Sequence, residues 1–356
     1  MVRAGRVLVL IAAMVGLARS AIAENPPSDW TEHPVSYFAM EGSPGDDVDT
    51  TAVAIEEDCC PSCNSCQCRC WDHCCRPLWT VNAGAIFLTR STPHRSPILE
   101  DSTTDTTLLN SNDFNFNWAT GADVQVTRRV DRTCALDGLD VRYFGVQSWQ
   151  ANTSLDTAGP WQFPNSDSSL PAAEFDSVYR SQLYSVEANA HHNIDCTGLT
   201  WLAGARWLQL NDQLNIVATD SVATDYRTTT QNKLYGAQIG MIVRAVPDDS
   251  PITLRWTSKA GVYGSATRNY WSADSTFLSA DGQGQLAFVG DVNVTAAVAL
   301  SDHVSLQGGY QLLWIEGVAV AGDQFAVMQE STTQDGINSA GGAFFQGATA
   351  SINVRW

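Results

Sequence analysis

The sequence has few charged residues and, after its first 23 residues, lacks an apolar run long enough for a transmembrane helix. Charged residues make up 16% of the 356 residues, below the roughly 25% of ordinary soluble domains. A bundle of transmembrane helices needs runs of about 20 apolar residues and is therefore excluded. Basic residues are also scarce, and the formal charge of -18 is unlike that of a nucleic-acid-binding protein. The 12 Trp, 12 Phe and 9 Tyr exclude a wholly disordered chain.

Residues 1–23 have the three parts of a secretory signal peptide in order. Arg3 and Arg6 provide the positive start, and an apolar run too short to span a bilayer follows at residues 7–17. Ala21-Ile22-Ala23 matches a cleavage site. The alternative is a buried N-terminal strand. The signal peptide predicts export to a compartment in which disulfides form.

Residues 24–58 contain ten acidic residues, no Lys or Arg, and four prolines. Such a composition buries too little apolar surface to fold and predicts an acidic disordered tether. We expect this tether to lie in the periplasm.

A cysteine-rich segment follows at residues 59–76 and holds eight of the ten cysteines. They are Cys59, Cys60, Cys63, Cys66, Cys68, Cys70, Cys74 and Cys75. Disulfides are the favoured interpretation in an oxidising compartment, within the chain or to envelope proteins. Zinc or an iron–sulfur cluster remains an alternative, as do free thiols, because cysteines at C-x-x-C spacing also bind metals.

From residue 77 onward, apolar and polar residues alternate with the period of a β-strand. Ten segments have this pattern: 78–90, 113–129, 138–150, 178–192, 198–210, 232–245, 252–264, 284–300, 303–316 and 343–356. All are longer than ten residues, whereas strands of soluble proteins average five or six. A tilted membrane-spanning strand needs about 9–11 residues, so the lengths favour a membrane barrel.

The predicted connections alternate between short and long. The long ones are residues 91–112, 151–177, 211–231, 265–283 and 317–342. This alternation is typical of an outer-membrane barrel, with short periplasmic turns and long external loops. The fold class is therefore predicted as all-β, an antiparallel up-and-down transmembrane β-barrel of 10 to 12 strands over residues 77–356. A soluble β-sandwich is the alternative.

Tryptophans fall near both ends of the predicted strands and predict an aromatic girdle at each membrane surface. They are Trp79, Trp118, Trp149, Trp201, Trp256, Trp314 and Trp356. The last of them ends the chain on an alternating strand, as is common in outer-membrane barrels. The predicted location is the cell outer membrane, with lipid as the main partner.

Several motifs together resemble a known family. They are Trp79-Thr80-Val81-Asn82-Ala83-Gly84, Glu187-Ala188-Asn189, Leu234-Tyr235-Gly236-Ala237-Gln238, Lys259-Ala260-Gly261-Val262-Tyr263-Gly264 and Gly309-Tyr310-Gln311-Leu312-Leu313-Trp314. In this order they are similar to β-barrel porin family seven, outer-membrane proteins of planctomycete-type bacteria. The resemblance spans residues 79–356. It implies a barrel in the outer membrane and, less directly, passage of small solutes, and it brings no site residues with it.

If the apolar strand faces point outward, a polar set of residues faces the lumen. The lumen-lining residues are predicted as Asp123, Arg142, Glu187, Asn189, Arg206, Gln238, Arg244, Arg255, Lys259, Asp291, Asn293 and Arg355. They either line a narrow pore or pair with each other and close it. Glu187 and Arg206, on neighbouring strands, are expected to pair. Cys134 and Cys196, in two periplasmic turns, are predicted to form a disulfide.

Three functions follow from these patterns. The first is a narrow porin for small solutes. The second is an anchoring barrel whose cysteine-rich segment crosslinks to envelope proteins, and the third is a soluble secreted binding protein. No motif predicts catalytic residues, a metal site, a cofactor or nucleic-acid binding.

Overall fold

The computed structural model describes residues 78–133, 136–164, 169–171, 173–194, 198–245, 252–274, 276–325 and 337–356. In these residues the strands, numbered in chain order, are β1 (Trp79–Arg90), β2 (Pro97–Asp101), β3 (Thr107–Asn110), β4 (Ala119–Thr133), β5 (Leu136–Asp156), β6 (Trp161–Gln162), β7 (Glu174–Ile194), β8 (Leu199–Thr219), β9 (Ala223–Ala245), β10 (Ile252–Ala273), β11 (Thr276–Ala299), β12 (Val304–Val318) and β13 (Gly341–Arg355). Within the described residues, none of the helices has the length and apolar character needed to cross a membrane.

Ten of these strands form a closed antiparallel barrel. Around the ring the order is β1, β13, β12, β11, β10, β9, β8, β7, β5 and β4, so each barrel strand pairs with its neighbours in sequence. The first and last strands close the ring, with Thr80 opposite Arg355 and Arg90 opposite Phe345. The predicted fold class, with ten up-and-down strands, is confirmed. The sandwich alternative is wrong, because one sheet closes on itself instead of two sheets packing face to face.

The strands are longer than the sequence predicted. β7 and β8 have 21 residues each, β9 has 23 and β11 has 24. Two segments expected to be long loops, 211–231 and 265–283, are mostly strand. Their hairpins are tight, with only residues 220–222 between β8 and β9 and residues 274–275 between β10 and β11. We call this end of the barrel the long-loop end and the opposite end the short-turn end.

The polarity of the inward and outward faces changes along some of the strands. On β8, the outward side chains near the short-turn end include Trp201, Ala203 and Ala205, and Arg206 faces the lumen. Beyond Trp207 the outward residues become Gln209, Asn211, Gln213 and Asn215, while Leu208, Leu210, Leu214 and Ile216 are fully buried inside. On β8 the short-turn half is thus apolar outside and mainly polar inside, and the long-loop half is the reverse. On β9 and β10 the inward residues of the long-loop half stay polar, among them Thr230, Asn232 and Thr267.

Connections at the long-loop end fill the interior of that half. β2, β3 and β6 form a small three-stranded sheet that the sequence did not predict. Aromatic rings cluster there, with Trp161 packed edge-on against Phe163 and Phe175. Phe325, from the connection between β12 and β13, packs against Phe163 and Trp271. This apolar core lies inside the ring and does not open as a loop-lined channel.

Candidate functional site in the barrel lumen

The predicted lumen-lining residues all occupy the inward-facing positions of their strands. Period-two alternation determines this, because successive side chains of a strand point to opposite faces. Eight of the twelve are buried: Asp123, Arg142, Glu187, Asn189, Arg206, Gln238, Lys259 and Asp291. The remaining four, Arg244, Arg255, Asn293 and Arg355, lie nearer the short-turn end and are partly or fully exposed.

Six charged residues form a neutral layer across the lumen, which we call the ion-pair layer: Asp123, Arg142, Glu187, Arg206, Lys259 and Asp291. Arg142 donates two hydrogen bonds to the Asp123 carboxylate, at 2.9 and 2.7 Å. The same guanidinium donates to Gln311 Oε1 at 2.9 Å on β12. This last bond spans the lumen, since β4, β1 and β13 separate β5 from β12 in the ring.

The other half of the layer centres on Lys259. Its Nζ lies 2.6 Å from Glu187 Oε1 and 3.4 Å from Asp291 Oδ2. Arg206 contacts Asp291 at 3.3 Å and donates to Ser185 Oγ at 2.8 Å. Glu187 and Arg206, which were expected to pair, are partners in the sheet but make no direct ion pair among the described residues. Glu187 contacts Lys259 and Arg142 instead, and Arg206 contacts Asp291.

Neutral amides complete the layer. Gln238 Nε2 donates to Glu187 Oε2 and to Asn189 Oδ1, both at 2.7 Å. Gln311 Nε2 lies 3.3 Å from both Asp291 carboxylate oxygens. Buried charges persist only when they are paired and hydrogen-bonded. These contacts therefore stabilise a filled lumen at this level.

A second buried ion pair lies toward the long-loop end and was not among the predicted residues. Arg90 on β1 contacts Asp212 on β8 through two hydrogen bonds of 2.7 and 2.8 Å, with both side chains fully buried. Tyr179 and Ser181 also donate to Asp212, at 2.9 and 2.8 Å. Arg90 ends its strand and Asp212 lies in a segment predicted as loop. That both side chains point inward becomes clear only because β8 extends through the segment that was predicted as a loop.

Residues 319–325, which we call the plug segment, close the lumen above this pair. Asn232 on β9 binds both backbone polar groups of Ala319, donating to its O at 2.7 Å and accepting from its N at 2.9 Å. Just before β12 ends at Val318, the strand is irregular at Gly317, whose φ of +79° suits a residue without Cβ. Nothing in the local sequence signals that this connection turns inward instead of outward.

Asp323 is the one acid of the plug segment and is buried. Its Oδ1 has no hydrogen-bond partner among the described residues. Burial raises the pKa of Asp323 to about 6, and the nearby charge of His94 opposes part of this increase. A neutral carboxyl is thus favoured inside the closed barrel at mildly acidic pH.

Acidic residues of the long-loop end mainly hold turns. Asp101 accepts hydrogen bonds from the Thr103 and Thr104 amides at 2.8 and 2.9 Å. Asp220 accepts from the Ser221 and Val222 amides. These backbone hydrogen bonds lower the pKa of both carboxyls. Within the described part of the chain, no group of three or more His, Cys, Asp or Glu is arranged to hold a metal ion.

The predicted aromatic girdle is partly matched. Trp201, Trp256 and Trp356 are about half exposed near the short-turn end, and Trp118 is exposed further up. Trp79 and Trp314 are partly exposed. Trp149 is wrong as a girdle residue: it is fully buried and donates to Leu88 O at 2.9 Å. A register shift after Val146 turns the rest of β5 by one face, so Trp149 points inward.

The cysteine predictions lie outside the described residues. This holds for Cys134 and Cys196, and for the whole segment 59–76. The signal peptide and the tether also lie there. These remain predictions.

Comparisons with known proteins give distant likenesses only. No family model matches the chain, and no curated protein matches it. The outer membrane protease OmpT from Escherichia coli is similar over 78% of this chain and 97% of that one, with 12% identity and a TM-score of 0.45. The transport unit of the autotransporter AIDA-I from Escherichia coli has 9% identity and a TM-score of 0.22, covering 80% and 92%.

An anion-selective porin from Comamonas acidovorans covers 78% of this chain and 98% of that one, with 7% identity and a TM-score of 0.14. With TM-scores below 0.5, the assignment of the fold rests on the strand pairing described above. The resemblance to β-barrel porin family seven remains a prediction.

Proposed function

We propose that this chain is an outer-membrane β-barrel with a closed lumen, which serves as an anchor in the cell envelope. The outward face of the short-turn half supports the membrane location. Ile239, Val262 and Leu306 there are more than half exposed. Soluble proteins rarely expose apolar surface in a continuous band, whereas a lipid-facing barrel requires one.

The filled lumen is the observation that carries the anchor role. The ion-pair layer joins inward side chains across the ring, and its six charged members are all buried. The Arg90–Asp212 pair and the plug segment fill the next levels. A barrel of ten strands lies near the size at which side chains alone fill the interior. In the described part of the chain, these filled levels therefore oppose the passage of solutes.

The direction of β1 fits an anchor for the cysteine-rich segment. β1 starts at Trp79 at the short-turn end, so the chain enters the barrel from that side. In an outer-membrane barrel the short turns face the periplasm. The proposal therefore assigns residues 59–76 to the periplasm, where they crosslink to envelope proteins through their cysteines. It includes no catalytic activity.

Single-channel conductance in planar bilayers tests the closed lumen. Two samples are compared after heat-modifiable gel migration shows that both are folded: the full chain and a variant lacking residues 319–325. We expect no conductance above background from either, because the ion-pair layer still closes the lumen when the plug segment is removed. Steady channels from the full chain would refute the anchor proposal and favour an open porin.

A gated narrow porin is the second candidate, and one observation favours it. A cavity of about 60 Å³ lies in the short-turn half of the lumen. If only the variant without residues 319–325 conducts, the plug segment is a gate and the chain is a porin. A third sample without residues 59–75 addresses the anchor directly. Under the anchor proposal, oligomers seen on non-reducing gels disappear in this variant.

A further inference from the structure

The carboxylates that line the cavity in the short-turn half are each held by other side chains of its wall. Asp123 is held by Arg142, and Glu187 by Lys259. Asp140 accepts hydrogen bonds from Gln125 at 3.0 Å and Asn189 at 3.3 Å and contacts His191. Each carboxylate of the wall therefore already has donors of its own.

Arg255 is the exception among the charged residues that line this cavity. Within the described residues, its guanidinium makes no direct ion pair or hydrogen bond, and the carboxylates of Asp140 and Asp123 attract it only from a greater distance. It lies on β10 at an inward position, partly exposed to the cavity. A guanidinium presents five N–H donors in a planar fork, so one without a direct ion pair beside a cavity is a favourable site for an anion.

The neighbouring strands add to this preference. Arg244 on β9 is directly opposite Arg255 in the sheet. Side chains in such pairs have Cβ atoms about 4.5–5.5 Å apart, and like charges there repel each other. Arg244 therefore adds positive charge beside Arg255.

Neutral hydrogen-bonding groups surround the same place. Thr295 on β11 is opposite Arg255 on the other side, and Asn293 is opposite Thr257 one step further in. The Thr295 hydroxyl donates to Asn293 Oδ1 at 2.5 Å. This contact fixes the carboxamide so that its NH₂ group remains available as a donor. Thr257 and Asn293 both line the cavity.

From this arrangement we propose that the cavity binds a small oxyanion, a phosphate or carboxylate group, with Arg255 as its main ligand and Asn293 and Thr257 as additional donors. Bidentate recognition by guanidinium is specific for such planar or tetrahedral oxyanions. That the anion enters from the periplasm follows only if the proposed membrane orientation is correct. The binding itself does not depend on that orientation.

Isothermal titration of the full chain in detergent tests the site, with inorganic phosphate, acetate and chloride as probes. We expect saturable binding of phosphate or acetate at one site and much weaker binding of chloride. Arg255→Gln should weaken the binding at least about tenfold, as expected for loss of a charge-assisted bidentate contact. Arg268→Gln, on the outward face of the same strand, is the matched control and should leave binding within about twofold.

Three outcomes would overturn the site: no saturable oxyanion binding, equal binding of chloride, or equal loss of affinity in both variants. If Arg255→Gln does not show heat-modifiable migration, Arg255→Lys replaces it. This variant keeps the charge, removes the fork and should bind several-fold more weakly than wild type. A probe comparison separates the sources, because preference for phosphate indicates a phosphate ester and preference for acetate a carboxylate. Channels in the bilayer assay would refute the closed lumen and leave this site untouched.

Discussion

Buried charged side chains determine what the interior of this barrel can do. Arg90 and Asp212 illustrate this, because both are fully buried and each would be an uncompensated charge without the other. Removing one member of such a pair costs about 3–5 kcal/mol, mostly because the other charge is left without a partner. The Arg90 guanidinium also packs on two aromatic rings, with its Cζ 4.8 Å from the centroid of Phe116 and 5.4 Å from that of Tyr179.

We therefore predict that Arg90→Met lowers the free energy of unfolding by about 3–5 kcal/mol. Denaturant titration of the detergent-folded protein measures this change. Arg227→Met is the matched control, because Arg227 pairs with Asp225 at 3.5 Å in a partly exposed position. Exposed pairs contribute about 0–1 kcal/mol. Equal losses in the two variants would contradict a special role for the buried pair.

At this scale the sequence predicts which residues face the lumen but not which residues pair. Alternation alone places Glu187, Arg206 and Lys259 on the inward face. Their partners depend on the curvature of the closed ring, which brings β7 close to β10 and β8 close to β11. Trp149 shows the complementary limit, since one irregular position in β5 reverses the face of every residue after it.

At the scale of elements, the strand number is predictable and the strand ends are not. The predicted segments in β7 and β8 cover only part of strands that have 21 residues each. The outward apolar pattern ends where the apolar face changes sides, near Leu208 on β8. The alternation continues beyond this point with the opposite sense. The polar outward face of the remaining residues therefore predicts loops where the structure has strands.

The plug segment is the element whose position depends most on a single side chain. We predict that Asn232→Ala increases hydrogen exchange at the Ala319 amide and its neighbours by about tenfold, because the bonds to the Ala319 N–H and C=O are lost together. Exchange followed by mass spectrometry of peptides covering residues 318–325 measures this. Asn211→Ala, on the outward face of β8, should change it little. Unchanged exchange in both variants would mean that other contacts hold the segment.

At the scale of the whole molecule, the position of the apolar band predicts where lipid lies. Ala260 on β10 is outward-facing, exposed and beside Ile239 in the sheet. We predict that Ala260→Arg destabilises the barrel in lipid vesicles by about 2–4 kcal/mol, as expected for a cation near the bilayer midplane. Gln213→Arg, outward-facing in the long-loop half, should stay within about 0.5 kcal/mol.

Refolding into lipid vesicles, followed by gel migration with and without heating, measures the yield of folded barrel for both variants. Similar yields for both would contradict the proposed membrane band and favour a water-soluble barrel.

The change of polarity along β7 and β8 also fixes the position of these strands along the barrel axis. In a uniformly alternating strand, a slip of two residues restores the same faces and is opposed only weakly by side-chain chemistry. Here the same slip of β8 toward the short-turn end would place Gln209 among lipid-facing residues and Leu208 at the level of the charged layer. Both changes would be unfavourable, because a polar side chain would face lipid and an apolar one would replace a buried charge. In the proposed membrane location, the polarity change therefore sets how far the barrel protrudes from the bilayer.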